Sequence, residues 1–73
     1  MRIEQLEYLA AIHEYHSMNL AGEKIHVSQQ AIRVAIRQLE EEFGMKLVHK
    51  NRQGSLLSPE CMQLLRLSQQ FFA

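Results

Sequence analysis

Seventy-three residues, 47% hydrophobic and 22% charged, make one small globular domain with a thin core, not a disordered tail. A single cysteine excludes a disulfide framework and a metal-binding cysteine pair, and neither a membrane-length apolar run nor a signal-peptide core is present, so the expected location is cytoplasmic with no membrane partner. The formal net charge of zero is unevenly placed, since acids outnumber bases over residues 1–23 and six Lys and Arg face three Glu over residues 24–55. Such segregation fits one surface that meets a polyanion.

Ile3, Leu6, Leu9 and Ile12 recur at helical spacing and predict a first helix, with Ala10 and His13 widening its apolar arc. Glu4, Glu7 and Glu14 lie on the other side, so this is a support helix whose acidic face points away from phosphate. His13 and His16 stand three apart, a spacing able to hold a metal. The four histidines and one cysteine nevertheless form no recognisable ligand set, and no metal or cofactor is expected.

A short helix over Asn19–Ile25 follows, too short to be stable without a neighbour. Ala21 and Gly22 offer the small side chains that let two helices cross closely, which offsets the roughly 1 kcal/mol that Gly costs in a helix. His26-Val27 then forces a sharp change of direction, as in a helix-turn-helix. The long helix starts after Ser28, a good N-cap, with Val27 and Ile32 placed as a hydrophobic staple. Ile32, Ala35, Ile36, Leu39 and Phe43 share its inner face. Its outer face carries Gln29, Gln30, Arg33, Arg37 and Glu40, with amides and guanidinium groups towards the N-terminal half. Those groups suit the reading of base edges in a DNA major groove.

Gly44 is placed to end the long helix in a left-handed cap. Beyond it, 46–50 and 55–58 read as two short strands joined by Asn51-Arg52-Gln53-Gly54, with Asn and Gly permitting positive φ at the turn. A hairpin after a helix-turn-helix is a wing. Its tip is expected over the sugar-phosphate backbone or a minor groove, with Lys50 and Arg52 in contact and Lys46 on a further phosphate. Ser58-Pro59-Glu60 starts a last helix. Met62, Leu64, Leu65, Leu67, Phe71 and Phe72 cover more than one stripe of it, enough to pack on the first helix and leave an apolar surplus for an interface.

The run Ala21, Glu23, Ile25, His26-Val27-Ser28-Gln29, Ala31-Ile32, Ile36-Arg37, Leu39-Glu40-Glu41, Phe43-Gly44 and Leu47 resembles the N-terminal DNA-binding domain of the bacterial LysR-type transcriptional regulators. The resemblance extends from Ile3 to about Cys61. It implies a mainly α fold, a winged helix-turn-helix of three helices and a two-stranded wing over residues 1–58, then a dimerising linker helix beginning over 59–73. It implies sequence-specific binding of double-stranded DNA by a homodimer, with Met62, Leu65, Phe71 and Phe72 at the subunit contact. The DNA-contacting set is Gln29, Gln30, Arg33, Val34, Arg37, Lys46, Lys50, Arg52 and Gln53. Several of these depart from the family pattern. Gln30 replaces Pro or Ser, Arg33 stands where Ser is frequent, Val34 where Arg or His is common, and Gln53 where the wing often has Arg. Operator sequence therefore does not transfer from relatives. His16 and Cys61 occupy positions where the family often has Gly, so the first bend is expected to differ and the thiol to pack as a small hydrophobe.

Family members continue into an effector-binding domain, so these residues read as the DNA-binding domain alone, either excised or naturally short. An alternative is a short module that heterodimerises with a larger regulator through its last helix; binding of duplex DNA by the isolated chain distinguishes the two. An enzyme has little support, because Ser28, Cys61 and the histidines form no nucleophile-base arrangement and no Gly-rich loop cradles phosphate.

Overall fold

The computed structural model describes the backbone of residues 2–72 and the side chains of residues 2–70. The chain folds in the order α1 (Ile3–Tyr15), α2 (Met18–Ile25), α3 (Gln29–Phe43), β1 (Val48–Asn51), β2 (Gly54–Leu57) and α4 (Pro59–Phe72). Capping chemistry sets most of these boundaries. The Ser17, Ser28 and Ser58 hydroxyls accept from the amides of Leu20, Ala31 and Cys61 at 3.2, 3.1 and 3.1 Å, each relieving an orphan donor in a first turn. Because Ser17 caps it, α2 begins one residue before the expected Asn19. His16, His26 and Gly44 end the first three helices in the left-handed conformation.

Leu9 and Ile12 of α1, Ala21 of α2, Ile32 and Leu39 of α3, Leu47 and Cys61 of the C-terminal part are all fully buried in one core. The α2–α3 crossing depends on Gly22: a Cβ there would sit 2.5 Å from the Val27 carbonyl oxygen and 3.5 Å from Ile32 Cδ1. The small residue anticipated from the sequence thus lies where the turn between the two helices folds back onto α2.

The expected faces need two corrections. In α1 the buried residues are Gln5, Leu9, Ala11 and Ile12, whereas Ile3 is 62% exposed and His13 is exposed. The first turn of α1 overhangs the core, and Ile3 and Leu6 line an open apolar groove against Leu65 of α4. Phe43, the last residue of α3, is 37% exposed, whereas Leu47 beyond the helix end is fully buried.

The hairpin is antiparallel, with Val48 opposite Leu57, Lys50 opposite Ser55 and Asn51 opposite Gly54. Its strands are shifted from the expected 46–50 and 55–58, for two reasons. The Glu40 carboxylate accepts from the amides of Leu47 and Val48 at 2.8 and 3.3 Å, so the Leu47 amide is tied to α3 and not to a strand partner. Ser58 is engaged as the cap of α4, while its amide donates to the Leu47 carbonyl at 2.8 Å. The turn itself is only Arg52-Gln53. Gly54 takes a positive φ of 137°, but Asn51 does not use that freedom; its Oδ1 accepts from the Gln53 amide at 2.8 Å. No described helix is long and apolar enough to cross a membrane.

Candidate nucleic-acid interface

Helical geometry sorts the solvent side of α3 into two rows at four-residue spacing. Gln29, Arg33 and Arg37 form the row nearer the wing; Gln30, Val34 and Gln38 form the row nearer α1. All are exposed except Gln29, which is half-buried, and Val34 exposes 42% of its surface. The buried residues Ile32, Ala35, Ile36 and Leu39 lock the opposite face, so the rotation of the helix about its axis is set by the core.

Gln29 owes its partial burial to a groove of about 420 Å³ that it shares with Ser17, Asn19, Lys50, Arg52 and Gln53. The start of α2 and the wing form its walls. Amides at the first turn of a helix favour an anion, and here two wing cations stand beside them. The wing is held over this groove by a backbone contact. The Ser55 amide donates to the His16 carbonyl at 2.8 Å, and Gly54 packs so closely on that oxygen that a Cβ would collide with it. His16 itself sits at φ 56°, in the left-handed region that Gly occupies freely and that costs other residues about 1–2 kcal/mol. The bend therefore forms without Gly, at a cost in strain.

The expected contact residues line three concavities, with Arg33 exposed on the α3 surface outside all of them. Gln29, Lys50, Arg52 and Gln53 surround the first groove; Arg37 and Lys46 line a separate cleft with Glu41 at the far end of α3. Gln30 and Val34 face a third groove, beside Tyr8 of α1. Ser17 and Asn19 also line the first groove without a mark in the contact pattern, although a Ser ahead of an apolar helix start is a readable cap signal for the former, and Asn51 is marked only as a turn residue. Glu40 was placed on the solvent face; no local pattern reveals its bonds, which span seven and eight residues.

On α4, Met62 and Leu64 are half-buried, Leu67 is 49% exposed and Leu65 is buried in the chain's own core. Phe71 and Phe72, also expected at a subunit contact, lie outside the residues whose side chains are described. Cys61 is fully buried, as expected of a small hydrophobe, and burial with the nearby Glu40 charge pushes its thiol up to about 11. Among the described residues no group of three or more His, Cys, Asp or Glu is placed to hold a metal.

Known proteins share both the sequence and this architecture. The OxyR transcriptional dual regulator of Escherichia coli K12 is 35% identical over 65 residues, covering 89% of this chain and 21% of that protein. The chain thus spans about a fifth of the length of the curated relatives it matches. The CbnR DNA-binding domain in a complex with DNA superposes with a TM-score of 0.88 at 28% identity, covering 99% of this chain and 83% of that one. The BenM DNA-binding domain on a catB DNA site gives a TM-score of 0.88 at 25% identity, covering 99% and 80%. Residues 3–62 match the family described as bacterial regulatory helix-turn-helix protein, lysR family, and the chain belongs to that family.

Proposed function

We propose that this chain binds double-stranded DNA sequence-specifically, as the DNA-binding domain of a LysR-type transcriptional regulator acting in the cytoplasm and not as an enzyme. The carrying observation is the groove that sets Gln29, at the start of α3, beside the wing cations Lys50 and Arg52 and the first turn of α2. With α3 in the major groove, Gln29, Gln30 and Arg33 reach base edges, Gln towards adenine N6 and N7 and Arg towards guanine O6 and N7. Val34 lies on the same outward surface. Arg37, Lys46, Lys50 and Arg52 contact phosphates, with Gln53 at the wing tip. The α2 amides take a further phosphate.

Residues 1–58 form the DNA-binding unit in this reading, and 59–73 begin a linker helix that pairs two copies. The exposed Leu67 and the apolar groove between α1 and α4 support that pairing. Leu65 contributes from the floor of the groove, and Met62 from its half-buried position. The same surface also favours a second reading, in which α4 docks on a larger regulator.

A gel-shift titration against genomic duplexes, followed by footprinting, separates these readings. Saturable binding with protected bases is expected of the first. Its salt dependence should follow the release of counterions, at about −0.9 in log K per log salt for each phosphate neutralised, and Lys50→Ala should remove about one such contact. Failure to retain any duplex at low salt would leave the interaction module. Sedimentation across a range of concentrations tests the dimer, which a strict monomer at high concentration contradicts.

A further inference from the structure

Valine is a weaker helix former than Ala, Leu, Lys or Glu, so packing usually explains its presence in a helix. Val34 is only partly packed: it lies outside the core on the groove beside Tyr8, with 42% of its surface exposed. A lone apolar residue on a surface is ordinary. The setting of this one is not, because the row that contains it (Gln30, Val34, Gln38 and, at the far end, Glu42) holds no cation. Gln30 precedes Val34 by one turn, Gln38 follows by one turn, and Ala31 is exposed beside it. The neighbouring row of the same helix carries both of its arginines, Arg33 and Arg37.

Phosphates reward cations, and a row without cations gains little from them. Base edges do reward amides and methyl groups. Of the four bases, only thymine offers a methyl in the major groove, and only adenine matches a Gln amide with an adjacent donor and acceptor. We infer that the Gln30–Val34 row is an A·T-reading element, in which Val34 packs on the C5-methyl of a thymine close to the adenine held by Gln30. This rests on the DNA-binding reading above and adds a base preference to it. The two side chains are about 6 Å apart along the helix axis, and base pairs are about 3.4 Å apart along a strand, so the thymine lies one or two steps from the adenine. Arg33 in the other row takes guanine, which gives the half-site an A·T part and a G·C part.

Removing one methyl group from DNA is the direct test. Duplexes enriched from a random pool by the 73-residue chain are remade with deoxyuridine in place of each thymine in turn, which deletes the methyl and keeps the pairing. One position per half-site should then bind wild type about four-fold more weakly, the worth of one buried methyl-sized group. Val34→Ala should bind the thymine and deoxyuridine duplexes equally at that position. The substitution is at an exposed helical site and favours helix, so folding is preserved. Tolerance of deoxyuridine everywhere overturns the inference, as does a sensitivity that survives in Val34→Ala, while DNA binding itself still stands. Failure to bind any duplex at low salt overturns both.

Discussion

Replacing Gly54 by Ala should undock the wing. The residue has a φ of 137°, a conformation that costs an L side chain about 1–3 kcal/mol. The added methyl would also collide with the His16 carbonyl oxygen, the acceptor for the Ser55 amide at 2.8 Å. To make room the strand must lift, and that amide, on a residue only 3% exposed, loses its partner at a further cost of about 1–3 kcal/mol. Together these come to about 2–6 kcal/mol, against a total stability of about 4–11 kcal/mol for a domain of this size. Urea unfolding followed by circular dichroism, with hydrogen exchange at the Ser55 amide, measures both parts. Affinity for random duplex should fall as well, because Lys50 and Arg52 ride on the wing. A stability change below about 0.5 kcal/mol with Ser55 still protected would refute the docking of the wing on His16.

His16→Gly should raise the thermal midpoint, corresponding to about 1 kcal/mol, by releasing left-handed strain; a drop would mean that the imidazole contributes more than the strain costs. Glu40→Ala leaves the Leu47 and Val48 amides without their acceptor and should cost about 2–3 kcal/mol in denaturant unfolding, with Glu40→Gln losing less. Burial first, then the Glu40 charge, raises the Cys61 thiol from 9.0 to about 11, so the folded state holds this proton more tightly than the unfolded chain does. The resulting stabilisation is complete below pH 9 and should be lost as pH rises towards 11, which unfolding curves across that range would show, with Cys61→Ala lacking this component.

The parts of the fold legible in the sequence are those governed by local chemistry. Ser28 and Gly44 mark the ends of α3 because a cap depends on a few neighbouring residues, and the buried residues Ile32, Ala35, Ile36 and Leu39 follow from a single period. Gly22 was readable because a Gly inside a helix calls for a compensating close approach, and the α2–α3 crossing supplies it. Contacts between distant segments were not readable in this way. Glu40 looks like one of three equivalent acids, yet it alone among them reaches the two amides that lead into β1. Spacing puts His13 on the apolar arc, but it is exposed beside His16, with ring centroids 6.2 Å apart. The contact residues were identifiable by type and position on a helix or hairpin. The three grooves that all of them but Arg33 line depend on how α1 and the wing pack on α3, which no single segment encodes.

If the N-terminal half of α3 reads bases, Arg33 is the side chain whose removal shows it. Arg33 is exposed on the row nearer the wing, and nothing in the core depends on it. Binding of wild type and Arg33→Ala to a selected duplex and to random duplex, at matched salt, separates reading from mere attraction. A loss of about 1–3 kcal/mol on the selected site, a much smaller loss on random DNA and relaxed preference at one base pair per half-site are the expected results. An equal loss on both duplexes would assign Arg33 to the backbone and contradict base reading by this side chain.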